Sequence, residues 1–501
     1  MKKVKNVTLI NAITSLLLQL STIISGFVIP RLILQTFGSE VNGLISSLNQ
    51  FLNYITILEG GVSSVIMANL YKPLLNNDVN KVSSVVKTTQ SFFKKIAIIF
   101  LIYSVILAVV YPLIVKQNFS YLYVSSLVLI LAINIFVQYN FSFSWRLLLN
   151  ADKKVYKVSI IQIGLIILNT VLFAILINFF PNIHFLKLVT ALVYILQPII
   201  YNIIIKKHYK IDKKVEIDKE LLKDRWAGFG INIAAFIHFN TDVTILSVFT
   251  DLKVVSIYTV YNLITTGLRQ IVMSVSSGIV PSIGHEYNTG NTEKLNKAFD
   301  HYEFVITFIT FFLFVIGGLL ITPFVMIYTK GVTDIDYYQP ALGIILLIAE
   351  AIYCIRDPFV GLSYSAKKFK DIKVHAYIES IINIVLSVIL VYKFKLIGVA
   401  IGTLVAMTYR TIFHVIYLKK NILYRPIRKF VKNIVIFGAF TCIGIIICNV
   451  FFSIVNVTIL SWIIHAIIYC LVFAALYLIM LFIFYKDELI YYKNTLLKFI
   501  K

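Results

Sequence analysis

Apolar stretches of roughly 20 residues recur along almost the whole chain, separated by short polar gaps, and that length lets an α-helix cross ~30 Å of hydrocarbon. The stretches fall at 8–36, 43–70, 96–115, 121–147, 158–180, 186–205 and 227–249. They continue at 254–281, 302–328, 340–363, 374–392, 396–417, 433–455 and 459–485. The pattern predicts an all-α integral membrane protein with about fourteen transmembrane helices. The first stretch is too long for a removed signal peptide and lacks a small-x-small cleavage site.

Charge changes the picture from spans to sides. A formal net charge of +23 would suggest nucleic acid in a soluble protein, but 59% of the residues are hydrophobic. The mean hydropathy of +0.88 leaves little polar chain to present a basic face to water, so nucleic acid is excluded as a partner. Instead, roughly three quarters of the 46 Lys and Arg residues fall in every second gap. Cationic loops stay on the cytoplasmic side, which places both termini inside, including the tail at 486–501. The string Lys486-Asp487-Glu488-Leu489 is internal and is no retention signal. Outer loops such as 181–185 and 393–395 are too short to carry a catalytic domain. Cys354, Cys442, Cys448 and Cys470 lie in apolar spans without metal-ligand spacing and read as small core residues.

The Lys-rich stretch 206–225 divides the chain. Ile211, Val215, Leu221 and Leu222 give it weak amphipathicity, which suits either a segment on the inner leaflet or a solvated linker. The segments around it look related. Asn77-Asp78 precedes a polar helical segment, a span and Tyr111-Pro112, while Asn291-Thr292 precedes the same series ending in Thr322-Pro323. The expected organisation is a first six-helix bundle (1–205), a cytoplasmic linker (206–225) and a second six-helix bundle (226–418), the bundles related by a pseudo-twofold axis. A cytoplasmic loop, two C-terminal helices and the tail occupy 419–501. Gly398 and Gly402 form a GxxxG pattern, read as close helix packing.

Ionisable groups inside a bilayer are costly unless they face a partner or a cavity, which makes them site candidates. The embedded cations are Arg31, Arg269, Arg356 and Arg410, all Arg although Lys is far commoner in this chain. Arg keeps its charge when buried and its planar fork binds phosphate oxygens in pairs, so these four are the candidate substrate-binding groups. The competing reading is that each is neutralised by an acid or snorkels to an interface. Glu59, Asp242 and Glu350 are the candidates for ion coupling or charge pairing, with Asp357 and Glu379 nearer the inner face. Glu59 precedes Gly60-Gly61, where the backbone is expected to open, and Asp357 before Pro358 is expected to cap a helix break. His238 lies one turn before Asp242. There is no phosphate loop, zinc-protease motif or nucleophile elbow, so no catalytic residue, metal or cofactor is assigned and the chain is not read as an enzyme.

The segments 37–44 (Phe37-Gly38-Ser39-Glu40 onward) and Leu58-Glu59-Gly60-Gly61 resemble the opening of bacterial polysaccharide repeat-unit flippases. So do Asn240-Thr241-Asp242-Val243, Ser256-Ile257-Tyr258 and Val280-Pro281-Ser282. These flippases belong to the multidrug/oligosaccharidyl-lipid/polysaccharide exporter superfamily. The resemblance implies two six-helix lobes, alternating access and a cationic cavity for an undecaprenyl-diphosphate-linked oligosaccharide. Asp242 matches the recurrent acid of the seventh helix, and two extra helices would border a lipid-tail groove. The expected function is a flippase in the bacterial cytoplasmic membrane, serving capsule or other surface polysaccharide. Membrane lipids, a polysaccharide polymerase and glycosyltransferases are the expected partners, with H⁺ or Na⁺ as candidate coupling ions. The alternatives are a multidrug or organic-cation antiporter of the same superfamily and a membrane glycosyltransferase or polymerase. The topology predicts that, in a chain with its own cysteines replaced, Lys297→Cys is shielded from an impermeant maleimide in intact cells. Asp334→Cys is labelled; the reverse pattern would invert the assignment of sides.

Overall fold

Helices cover the apolar stretches, and several extend well beyond them. The computed structural model describes residues 2–59, 61–115, 118–212, 214–218, 220–222, 229–423, 425–454 and 456–490. The described residues are 88% helical and include no strand. In order come α1 (Lys2–Asn53), α2 (Val62–Leu75), α3 (Val79–Ile114), α4 (Tyr121–Val137), α5 (Phe143–Ala151), α6 (Val155–Phe179) and α7 (Ile183–His208). They are followed by α8 (Phe229–Phe249), α9 (Leu252–Asn288), α10 (Thr292–Tyr328), α11 (Pro340–Ser365), α12 (Phe369–Leu418), α13 (Ile427–Phe451) and α14 (Ile459–Phe484).

Each of the fourteen predicted crossings lies on this helical framework, but helices and crossings do not correspond one to one. α1 contains the first crossing and the start of the second, joined at Gly38, whose φ of 81° suits a residue without Cβ. α12 contains two crossings joined at Lys395, at φ 47°. The second crossing is interrupted by a 3₁₀ turn at Tyr54–Glu59 and by Gly61 at φ 77°, so the backbone opens beside Glu59 as expected. The fourth is interrupted by a π-turn at Gln138–Ser142. Among the described residues, ten helical stretches are by themselves long and apolar enough to cross a membrane. Burial runs opposite to a soluble protein: Leu101, Ile102, Val105, Ile106 and Val109 on α3 and Leu471, Leu478 and Phe482 on α14 are exposed. Such apolar outer faces belong in lipid, and the protein is a multi-pass membrane protein.

Packing divides the chain into Met1–Ile257 and Tyr258–Lys501. In the first unit α6 runs along α1, with Thr170 donating to Ser25 at 2.7 Å. The polar side of α8 is also joined to α1: Gln50 donates to Asn240 at 2.7 Å, and Tyr54 and Thr244 share a 2.8 Å hydrogen bond. Segment 206–225 forms no amphipathic helix after His208 among its described residues. It is a strap tied to α3 by hydroxyl groups. The Asp212 and Asp218 amides donate to Ser83 and Thr88, each at 2.9 Å, while Ser84 and Lys87 donate to the carbonyls of Glu216 and Val215. Leu221 and Leu222 are buried; residues 213, 219 and 223–225 lie outside the described set.

In the second unit the arms of α12 fold back as an antiparallel hairpin. Asn383 donates to Thr403 at 2.8 Å and Ser387 to the Val399 carbonyl at 3.3 Å. Gly398 and Gly402 lie against the backbone of Leu390 and Ser387, where no Cβ fits. α13 and α14 pack on α10 through Phe304, Phe437, Phe473 and Tyr477. At one end of this contact Glu303, almost wholly buried, accepts hydrogen bonds from Arg425 and Asn433. The paired sequence motifs also have a common structural meaning. Asp78 caps α3 by accepting from the Lys81 amide, and Asn291 caps α10 by accepting from the Lys294 amide, each at 2.9 Å. Overpacking at the hairpin costs about 1–3 kcal/mol. Gly402→Val is therefore expected to lower the melting temperature of the detergent-solubilised protein. Gly438→Ala, at a position open to space, is expected to leave it unchanged or raise it.

Candidate functional site

Three of the four embedded arginines converge in the second unit. Arg269, on α9, donates through Nη1 to both Glu350 oxygens, at 3.0 and 3.2 Å. Glu350 lies on α11, where each step of three positions brings the next side chain about one turn along and about 60° round the helix. Tyr353 is three on, its ring centroid 5.6 Å from the Arg269 guanidinium carbon and 4.8 Å from that of Arg356. Arg356 is six on and donates to Glu379 Oε1, on the first arm of α12, at 2.7 Å. The other Glu379 oxygen is 3.6 Å from Nη1 of Arg410 on the second arm. Arg410 Nε in turn donates to His414 Nε2 at 2.9 Å, which fixes that imidazole nitrogen as an acceptor.

The result is a ladder of alternating charge with an aromatic ring in the middle. Arginine stays protonated even here, so three guanidinium groups face two carboxylates, and Asp357, next to Arg356 in the chain, is a third acid within electrostatic reach. Arg269 is the rung open to an incoming group: its side chain is 16% exposed, against 8% for Arg356 and 5% for Arg410. A phosphate oxygen could replace a carboxylate oxygen on such a fork without leaving the guanidinium unpaired. His414 Nδ1 and Arg410 Nη1 are buried with no hydrogen-bond partner among the described residues.

Asp357 differs from its sequence reading. α11 runs unbroken from Pro340 to Ser365 through Pro358, so Asp357 caps no helix break. Its carboxylate instead accepts hydrogen bonds from Ser276 on α9 and from Tyr302 on α10, the latter at 3.2 Å. Those hydroxyls satisfy the acid and bind three helices together.

The remaining candidates lie in the first unit. Glu59, at the end of the 3₁₀ turn, accepts from Tyr139, which the π-turn carries, and Arg146 lies within electrostatic reach. Tyr139 and Phe143 stack at 4.8 Å with 6° between their planes, and Arg146 lies 4.2 Å above Phe143. Arg31 is half-buried on α1, and Asp242 is buried on α8 near the contacts to α1. The His238 side chain lies outside the described set.

A separate apolar groove runs between α10, α11 and α13, about 430 Å³ in volume. Phe311, Phe314, Leu347, Ile348, Ala351 and Ile445 form most of its walls. On α11 the groove residues Ile344, Ile348, Ala351 and Ile355 lie roughly opposite Tyr353, the middle of the ladder.

Comparison with solved structures identifies the fold. The lipid II flippase MurJ, in its inward closed conformation, matches with a TM-score of 0.71 at 20% sequence identity, over 95% of this chain and 99% of that one. A eukaryotic MATE transporter, AtDTX14, matches with 0.59 at 14% identity, over 82% of this chain and 94% of that one. The MATE multidrug transporter DinF-BH matches with 0.61 at 15% identity, over 85% of this chain and 97% of that one. The fold is that of MurJ and the MATE transporters. Searches with protein-family models and against curated proteins return no match.

Several members of these clusters carried no assigned role in the sequence. Glu379 reads in the sequence only as an embedded acid nearer the inner face, and its two arginine partners appear only when α12 folds back. Tyr139 and Arg146 lie some eighty residues from Glu59, and Arg425 reads as a topology charge although it is bonded to buried Glu303. Removing one partner of a buried ion pair costs about 3–5 kcal/mol because the other charge is left behind. Glu379→Gln is therefore expected to lower the melting temperature sharply, and adding Arg356→Gln should restore part of the loss. If the second substitution restored nothing, the two residues would not be coupled.

Proposed function

We propose that the protein is a flippase that moves undecaprenyl-diphosphate-linked oligosaccharide units from the inner to the outer leaflet of a bacterial cytoplasmic membrane. It would act by alternating access of two six-helix bundles, with both termini cytoplasmic, and supply capsule or another surface polysaccharide. The observation that carries this reading is the two-sided construction around α11. One side holds three arginines, whose forks suit a diphosphate, and the other lines an apolar groove suited to a polyprenyl tail. α13 forms one wall of the groove, which gives the added C-terminal helices a purpose in this reading. The match to a lipid-linked substrate flippase over nearly the full length of both chains supports it.

A second reading, an organic-cation antiporter, draws support from Glu59, Asp242 and the likeness to MATE transporters. It leaves the arginine ladder and the groove without a purpose.

Reconstitution separates the two. Proteoliposomes containing a fluorophore-labelled polyprenyl-diphosphate sugar are expected to expose inner-leaflet probe to an impermeant quencher faster than protein-free vesicles. Arg269→Gln should slow this about tenfold, the loss expected for one charge-assisted hydrogen bond. Lys294→Gln, on the exposed start of α10, should not change the rate. Translocation no faster than in empty vesicles, with gradient-driven uptake of an organic cation instead, would favour the antiporter.

A further inference from the structure

The first unit contains a second cleft, lined by none of the embedded charges singled out as site candidates. It occupies about 760 Å³ between α3, the π-turn with α5, and α7, and Ile217 of the strap forms one edge. Its lining divides by chemistry. Lys87, Gln90 and Lys94 project from one side of α3, and Asn140 and Asn202 add two carboxamides from the π-turn and from α7. Trp145 borders the same space. Gln90, Asn140 and Asn202 are all partly buried. The rest is apolar, and Phe141 and Ile199 are half-exposed, so the polar pocket continues into a greasy outer face.

The depth of the cleft follows from α3 itself. The helix is polar and Lys-bearing up to Lys95, and its apolar run begins at Ile96. A cleft reaching from Lys87 to Lys94 therefore sits where α3 enters the hydrocarbon, at headgroup level on the Lys-rich face. Tryptophan favours that level, and basic pockets between helices there bind anionic headgroups. The carboxamides offer donors and acceptors together, as hydroxyl groups require.

We propose that this cleft binds a glycerophosphate-type group, a phosphate bearing neighbouring hydroxyls, carried by an anionic lipid of the same leaflet. Lys94 and Lys87 hold the phosphate, the carboxamides hold the hydroxyls, and the acyl chains lie along Phe141 and Ile199. Lys87 also donates to the Val215 carbonyl, so the bound headgroup abuts the strap. The proposal is independent of which substrate the protein transports.

The test is native mass spectrometry of the full chain released from nanodiscs containing equal parts phosphatidylglycerol and phosphatidylcholine. A parallel arm measures thermal stabilisation in detergent by soluble glycerol phosphate. Retained phosphatidylglycerol is expected to fall about fivefold in Lys94→Gln, the loss expected for one lysine at a lipid surface. Asn202→Ala should weaken it as well, with the melting temperature of both lipid-free variants unchanged. A variant-sensitive effect in either arm supports the site, and the arm that shows it identifies a lipid or a free phosphate as the source. Equal retention of both lipids, or no response to either substitution in either arm, would overturn it.

Discussion

Much of the second unit depends on one carboxylate shared between two arginines. Glu379 is buried on the first arm of α12 and touches Arg356 of α11 and Arg410 of the second arm. A charge in such surroundings must be paired, so its position constrains three helical segments at once. The hairpin supplies the register. Asn383 meets Thr403, and further along the same antiparallel pairing Glu379 meets Arg410. That approach needs the arms close together, which Gly398 and Gly402 permit by presenting no Cβ to the facing backbone. The small-residue pattern and the ion cluster are thus two parts of one device.

What was legible in the sequence reflects what each interaction depends on. Crossings depend on a local property, apolar length, and each predicted crossing lies on the helical framework, two of them with an internal break. The break beside Glu59 was legible for a similar reason, since adjacent glycines weaken a helix where they stand. Interactions that join distant segments were not legible. The arginine candidates could be picked out by residue type, but nothing local to Arg269 indicates that Glu350 is its partner, 81 positions away. The strap illustrates the same limit. Its weak amphipathicity left a segment on the inner leaflet and a solvated linker both open, and nothing local points to the hydroxyls of Ser83, Ser84 and Thr88 on α3 that pair with its backbone. Asp357 was misread because the neighbouring proline suggested a break, while the hydroxyls that satisfy the acid come from α9 and α10.

The pairing of the arginines bears on how such a ladder could serve transport. A free guanidinium in an apolar cavity would carry a large desolvation cost whenever the cavity was empty. A guanidinium already held by a carboxylate avoids that cost, and an anion that displaces the carboxylate need only match the interaction it replaces. Binding then becomes an exchange of partners, and the released acid must find a proton, a cation or another arginine. The ladder provides the last of these for Glu379, which touches two arginines; for Glu350, the carboxylate of the open rung Arg269, a proton or a cation would serve. The choice of Arg over the commoner Lys follows: a planar fork can hand over one oxygen while keeping another, which a point charge cannot do with the same geometry. In such an arrangement a conformational change that breaks Arg269 from Glu350 is costly in the empty protein and cheaper once an anion has taken the carboxylate's place. The same pairing that stabilises the resting structure would therefore restrain movement until a substrate of the right charge is bound.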